Sequence, residues 1–126
     1  MKFCTVINCM DGRTQLPVFK FSQNRFNTEY VDTITEAGPN LILAEQKDQI
    51  KIQSIIERVE ISINKHRSVG IVIVGHHDCA GNPASKKEQT SHLYQSIQFI
   101  QDRFKCIEVI GVWVDENWYV QEINKR

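Results

Sequence analysis

The chain has 126 residues, a length that predicts one domain spanning residues 1–126. Its composition, 41% hydrophobic and 24% charged, is typical of a globular protein with a buried core. Fifteen basic residues balance fifteen acidic ones, and this zero net charge argues against nucleic acid or a membrane surface as a partner. No apolar run approaches the roughly 20 residues of a membrane span, and the first residues lack signal-peptide features. We therefore expect a cytoplasmic protein.

The first half of the chain contains two predicted strands and one predicted helix. Residues 2–8 are apolar and rich in β-branched side chains, and a second such run, residues 30–37, ends at Gly38-Pro39. Residues 14–28 show no clear periodicity and contain Pro17, so we expect a loop there with at most a short helix. Residues 46–66 form a predicted helix, whose apolar stripe consists of Ile52, Ile55, Ile56, Val59 and Ile63.

The second half continues the alternation of strands and helices. Residues 70–75 are apolar throughout, as expected of a strand that is covered on both faces. Residues 85–104 predict a second amphipathic helix, residues 107–114 a fourth strand, and residues 118–123 a hairpin partner for that strand. The alternation predicts an α/β fold: a mainly parallel sheet of four to five strands, with helices on both faces and an antiparallel last strand.

Three potential metal ligands follow the ends of two predicted strands: Cys9 follows the first, and His76 and Cys79 follow the third. Ligands of open α/β sheets lie beyond the carboxyl ends of the strands, so these residues would meet if the two strands are neighbours. Two thiolates and one imidazole suit zinc, and three protein ligands leave a fourth position for water. The alternative is structural, with His76 ending a strand and Cys79 acting as a small buried hydrophobic residue.

Asp11 and Arg13 follow Cys9 at intervals of two residues, so an extended segment would point all three side chains to one side. Asp11 would then lie near the metal, and Arg13 would keep it ionised through a charge-assisted hydrogen bond. The alternative is a plain turn at Asp11-Gly12 with a solvated charge at Arg13.

The remaining candidates give weaker signals. His77 would transfer protons, support a metal ligand by a hydrogen bond or simply be exposed, and Asp78 would orient a ligand histidine or cap the turn that follows it. Two histidines are expected at the surface and two cysteines in the core, namely His66, His92, Cys4 and Cys106. Three aromatic residues are expected to pack on a sheet face or, if exposed, to serve association: Trp113, Trp118 and Tyr119.

The runs Cys9-Met10-Asp11-Gly12-Arg13 and Gly75-His76-His77-Asp78-Cys79 together resemble the signature of the β-class carbonic anhydrases. That signature is Cys-x-Asp-x-Arg, then His-x-x-Cys after an apolar strand. Ala37-Gly38 resembles the end of the family's Arg-Asn-Ala-Gly segment, although Thr35-Glu36 replaces Arg-Asn. Ala80 stands where the family usually has glycine, with Gly81 one place later, and the glutamine that lines the substrate site in many members is not identifiable. The chain is short for the family.

The resemblance implies that Cys9, His76 and Cys79 bind Zn²⁺ and that Asp11 and Arg13 form the catalytic dyad. It implies reversible hydration of carbon dioxide to bicarbonate, with zinc hydroxide as the nucleophile. In the family, the dyad either frees the fourth zinc position for water or lets the aspartate occupy it. The resemblance also implies a homodimer or a larger homo-oligomer.

Three other functions remain open from the sequence. Relatives of this family hydrolyse carbon disulfide or carbonyl sulfide, so the small-molecule substrate need not be carbon dioxide. The chain would be a non-catalytic zinc-binding module if Asp11 closed the fourth position. It would be a metal-free thiol protein if the cysteines bound no ion.

Overall fold

A five-stranded sheet organises the chain in the computed structural model, which describes residues 2–123. The strand order is β2-β1-β3-β4-β5, with four parallel strands and an antiparallel β5 at one edge. The elements in chain order are β1 (Phe3–Cys9), α1 (Gly12–Phe26), β2 (Tyr30–Glu36), α2 (Pro39–Glu45), α3 (Gln49–His66), β3 (Gly70–His76), α4 (Lys86–Arg103), β4 (Glu108–Val114) and β5 (Val120–Glu122). The predicted α/β fold class is confirmed.

Helices cover both faces of the sheet, as predicted. Alternate residues of each strand face opposite sides, so neighbours such as Val6 and Ile7 belong to different cores. The core that contains Ile7 packs the sheet against α2, α3 and α4, and it includes the predicted stripe of α3. The core that contains Val6 packs the sheet against α1 through Val18. β1 and β3 are therefore buried on both faces, which explains their continuous apolar sequences.

The prediction of a loop at residues 14–28 is wrong, because most of that segment forms α1. Its buried face repeats every four residues, but two of the three side chains, Thr14 and Ser22, are polar. The helix therefore shows no apolar stripe in the sequence. Asp11 caps its first turn by accepting a hydrogen bond from the backbone N–H of Arg13. Pro17 lies in the second turn, where it removes only one intrahelical hydrogen bond.

The predicted helix at residues 46–66 begins three residues later in the structure, at Gln49, and a separate short helix, α2, precedes it. Gln46 has a left-handed backbone (φ 57°) and ends α2. Asp48 begins α3 by accepting a hydrogen bond from the Lys51 backbone N–H. Gly38 starts α2 with φ 63°, and the sequence pattern did not predict that helix.

Several single-residue expectations differ from the structure. Cys106 is exposed, because the fourth strand begins only at Glu108 and Cys106 lies in the turn before it. Tyr119 is 72% exposed and does not pack on the sheet, whereas Trp113 is buried as expected. His92 is half-buried, and its Nδ1 lies 3.0 Å from the Asn82 side-chain amide.

No helix of residues 2–123 is long and apolar enough to cross a membrane.

We predict that Gly70→Ala destabilises the protein by about 1–3 kcal/mol, because a Cβ at Gly70 would collide with the Phe26 ring of α1. Gly12→Ala is the matched control, since a Cβ at Gly12 meets no atom within 4 Å and alanine favours the helix. Urea unfolding measures both variants. Equal stability of the two would contradict the close packing of α1 on β3.

Candidate metal centre

The parallel pairing of β1 with β3 brings the candidate ligands together. Both strands end at the same edge of the sheet, so Cys9 at the end of β1 lies beside His76 at the end of β3, with Cys79 three residues further on. The ligand atoms of these three residues all lie within 4.8 Å of one another, and all three residues are buried. Within residues 2–123, no other group of histidine, cysteine and acidic side chains has a geometry that could hold a metal ion.

The two cysteine sulfurs lie 3.8 Å apart, close enough to share one proton. The Cys79 thiol, which donates to the sulfur of Cys9, lowers the pKa of Cys9, and the same interaction raises the pKa of Cys79. Backbone N–H groups of Gly38 and Asp11 also favour the Cys9 thiolate. The Asn82 backbone N–H lies 3.3 Å from the Cys79 sulfur. Each sulfur thus has hydrogen-bond donors suited to a metal-bound thiolate.

His76 presents one ring nitrogen to the two cysteines. Its Nδ1 lies 2.7 Å from the backbone carbonyl of His77, so Nδ1 carries the proton and donates it there. Its Nε2 is buried and has no hydrogen-bond partner. Burial opposes the charged imidazolium, but the Cys9 thiolate and the His77 carbonyl favour it, outweigh burial and raise the pKa of His76. An unpaired Nε2 aimed at two sulfurs is the arrangement that a zinc ion requires.

Gln89, which the sequence analysis did not single out, holds the loop that carries two of these ligands. Its Nε2 lies 2.9 Å from the carbonyl of His76, 3.1 Å from that of Asn82 and 3.3 Å from that of Ala84. Its Oε1 accepts from the His76 N–H and from the Asn40 side chain. Gln89 is fully buried in α4. A polar residue four positions before Leu93, on the apolar helix face, was the available signal in the sequence.

The loop also approaches the segment after β2 too closely for side chains. A Cβ at Gly81 would collide with the backbone of Ala37, and a Cβ at Gly38 would lie 2.7 Å from the Gly81 carbonyl carbon. These two glycines let the loops around Cys79 and Gly38 pack backbone to backbone. The packing gives a physical reason for glycine at residues 38 and 81.

Asp11 and Arg13 form a close ion pair beside the three candidate ligands. Arg13 Nε donates to Asp11 Oδ1 at 3.1 Å, and Arg13 Nη2 donates to Oδ2 at 2.8 Å. These bonds lower the pKa of Asp11 to about 2, so the carboxyl group is ionised at neutral pH. The sequence spacing suggested that an extended segment brings the two side chains together, but the segment is not extended in the structure. The ion pair arises because Asp11 caps α1 and Arg13 lies in the first turn of that helix.

Arg13 has two further neighbours. Its Nη1 lies 3.3 Å from a carboxylate oxygen of Asp78, and its Nη2 lies 3.2 Å from the Asp78 carbonyl. Its guanidinium also lies over the Trp118 ring, 4.5 Å from the ring centroid. Asp78 therefore contacts Arg13 rather than a histidine. The His77 side chain is exposed, and His77 reaches the site through its backbone carbonyl.

Solved β-class carbonic anhydrases have a similar fold. One of two tetrameric β-carbonic anhydrases from Sordaria macrospora matches 98% of this chain and 80% of its own, with 13% identity and a TM-score of 0.66. The β-carbonic anhydrase CafA of Aspergillus fumigatus matches 98% of this chain and 75% of its own, with 13% identity and a TM-score of 0.65. A carbonic anhydrase from Glaciozyma antarctica matches 95% and 81%, with 12% identity and a TM-score of 0.62. The chain is thus an α/β protein of β-carbonic anhydrase fold with a Cys–His–Cys group at the carboxyl edge of its sheet.

The family follows from the sequence match. The family model described as "putative carbonic anhydrase" matches residues 1–124, so the chain belongs to that carbonic anhydrase family. No curated protein sequence matches the chain. The resemblance noted in the sequence is confirmed at the level of the family.

We predict that the isolated protein binds one zinc ion per chain and that Cys79→Ser weakens zinc binding more than about 100-fold. Loss of a group that merely supports a ligand already costs about 10- to 100-fold, so loss of a ligand costs more. Cys106→Ser is the matched control, because Cys106 is exposed and lies outside the group. Metal analysis and chelator competition measure both variants. Equal zinc affinity in the two variants would contradict the assignment of Cys79.

Proposed function

We propose that the chain is a single zinc-binding domain, residues 1–126, that reversibly hydrates carbon dioxide to bicarbonate. The observation that carries the proposal is the buried Nε2 of His76, which lacks a partner and faces Cys9 and Cys79 beside the ion pair of Asp11 and Arg13. Those three residues would hold Zn²⁺. Zinc would act as a Lewis acid that lowers the pKa of a water molecule from about 15.7 to roughly 7–9.

Asp11 would orient the attacking water. Its carboxylate is ionised, and a carboxylate accepts hydrogen bonds without donating any. Arg13 fixes the plane of that carboxylate through two parallel N–H bonds. Oδ1 also accepts the Arg13 backbone N–H, so Oδ2 is the oxygen that keeps a lone pair free to accept a hydrogen bond from water. Asp11 would therefore turn a lone pair of the water toward the carbon atom. A displacement of about 1 Å from the reactive geometry can cost about 10²-fold in rate, so this positioning would matter to catalysis.

The hydration also releases one proton for each bicarbonate formed. Arg13 has a side chain that is 46% exposed and Asp11 one that is 18% exposed, so the dyad is open to water. Solvent and buffer would therefore take the proton. The exposed His77 side chain next to His76 is a candidate relay, and this role stays a prediction.

The other zinc-based functions have less support. Asp11 would have to leave Arg13 to close the fourth position, and both of its oxygens are bonded to Arg13. A narrow apolar tunnel would favour carbon disulfide or carbonyl sulfide. The dyad instead adjoins an open hollow lined by the charged residues Arg13 and Lys20 as well as by Leu16, Pro17 and Trp118. The hollow is open rather than a narrow tunnel, and its two cations, Arg13 and Lys20, suit the bicarbonate anion.

We predict that Asp11→Asn lowers kcat/KM for carbon dioxide hydration by roughly 10²-fold, because an amide accepts hydrogen bonds more weakly than a carboxylate and also donates them. Asp102→Asn is the matched control, since it makes the same change at an exposed position near the end of α4. Stopped-flow measurements on both variants test the prediction. Full activity of Asp11→Asn would remove Asp11 from the mechanism.

The pH profile of the same reaction follows from the ionisation of Asp11 and that of the attacking water. Asp11 has a pKa of about 2, so it stays charged and adds no step between about pH 6.5 and 9. In the proposed mechanism the attacking water must ionise, so kcat/KM is expected to rise with pH over that range. A fall in activity with rising pH would contradict this mechanism.

We propose that the chain acts as a homodimer or a larger homo-oligomer in the cytoplasm. Large apolar side chains are exposed near the dyad, with Met10 66%, Leu16 60% and Tyr119 72% exposed. The Sordaria macrospora relative is tetrameric, which favours the same kind of assembly here. We expect light scattering to give at least twice the chain mass of 14.6 kDa. Leu16→Lys should lower that mass if the surface is an interface, and a monomer in both proteins would contradict the proposal.

A further inference from the structure

We propose that Trp118 is a positioning residue that holds Arg13 on Asp11 and so keeps the Asp11 carboxylate off the metal. This inference rests on the proposed function, because it concerns the fourth position of the same site. Asp11 has two possible partners, the Arg13 guanidinium and the metal ion. The residues that restrain Arg13 therefore decide how often the fourth position is free.

Arg13 is not restrained by burial. Its side chain is 46% exposed, so only specific contacts fix its long side chain in one direction. The Asp11 carboxylate binds one edge of the guanidinium, and Asp78 contacts another. Trp118 covers a face of the group at 4.5 Å. The ion pair with Asp78 is weak by itself, because the Asp78 side chain is 71% exposed.

Trp118 reaches this position through an unusual backbone. Its φ is 64°, in the left-handed region that a bulky residue rarely adopts. Asp115 builds the turn: its carboxylate accepts the backbone N–H groups of Asn117 and Tyr119, and its carbonyl accepts that of Trp118. The hydrogen bonds of the turn at residues 115–119 thus enforce the strained conformation. Backbone strain at a bulky residue clusters at functional sites, which supports a functional role for the Trp118 side chain.

The turn is also fixed relative to the helix that carries Arg13. Arg25, in the last turn of α1, bonds Glu122 of β5 at 2.8 Å and Glu108 of β4 at 2.9 Å. Trp118 packs against the core between α1 and the sheet. The indole ring and the first turn of α1 are therefore held at a set separation. This arrangement fits a role in restraining Arg13 better than a role in packing alone.

The test is anion binding to the cobalt(II)-substituted protein, read from the visible spectrum of the metal. Thiocyanate is the probe, and it can bind only when Asp11 leaves the fourth position open. Apparent affinity falls in proportion to the open fraction. Loss of a cation–π contact at a partly exposed site should raise the ratio of closed to open fourth positions about two- to fivefold, so we expect Trp118→Leu to weaken thiocyanate binding by up to that factor. Trp118→Phe keeps an aromatic face and should bind within about twofold of the unmodified chain.

The control is the same substitution in an Asp11→Ala background. Without the carboxylate nothing competes with the anion, so Trp118→Leu should leave thiocyanate affinity unchanged there. Trp118→Gly is a second variant in case Trp118→Leu does not fold. Glycine suits the left-handed backbone at this position, whereas leucine keeps apolar bulk against the core. Both lack the aromatic face and should give the same result. Thermal unfolding confirms that each variant is folded before titration.

The outcomes separate this inference from the proposed function. Weaker binding in the presence of Asp11 and unchanged binding in its absence support the role of Trp118. Unchanged binding in both backgrounds, or equal weakening in both, overturns that role while leaving the metal site in place. A protein that takes up neither cobalt nor zinc overturns the proposed function and this inference with it.

Discussion

The parallel pairing of β1 with β3 is the constraint on which the site depends. Thr5, Val6 and Ile7 pair with Ile71, Val72 and Ile73, so the two strands end side by side. A slip by one residue would exchange the side chains between the two cores and would break the buried hydrogen bonds that Thr5 makes with Ser62 and Ser68. The register that satisfies the two apolar cores is thus the register that brings Cys9 and His76 together. The strand register thus sets the approximate positions of the two loops.

A layer of buried polar groups further restricts the conformation of the loop that follows β3. Asn40, Asn82 and Gln89 come from three different segments and are connected by hydrogen bonds beneath the ligand loop. All three are almost completely buried, where an unpaired amide would cost about 1–3 kcal/mol. Their mutual satisfaction therefore favours one loop conformation over others. On the outer side of the site, Arg13 connects the loop after β1 with the loop after β3 through Asp11 and Asp78.

Much of the fold could be predicted from the sequence, because four strands and two helices have apolar patterns of the right period. The proximity of the candidate ligands followed from the rule that sites lie beyond strand ends, and their roles as ligands stay a prediction. α1 was not predicted, because Thr14 and Ser22 occupy the face that it buries. Gln89 and the contact of Trp118 with Arg13 were not predicted, for another reason. Their importance depends on tertiary contacts and, for Trp118, on a turn whose backbone is left-handed.

The separation of the ligands along the chain has a consequence for how the protein would acquire its metal. Cys9 and Cys79 are 70 positions apart, and only the folded sheet brings their sulfurs to 3.8 Å. An unfolded chain would offer little more than the local His76 and Cys79 pair, and its metal affinity would be correspondingly low. The difference in affinity between the two states would appear as added stability of the folded state. During synthesis, β3 and the loop after it must emerge before the site can be complete, so metal loading would follow folding and would then stabilise the folded chain.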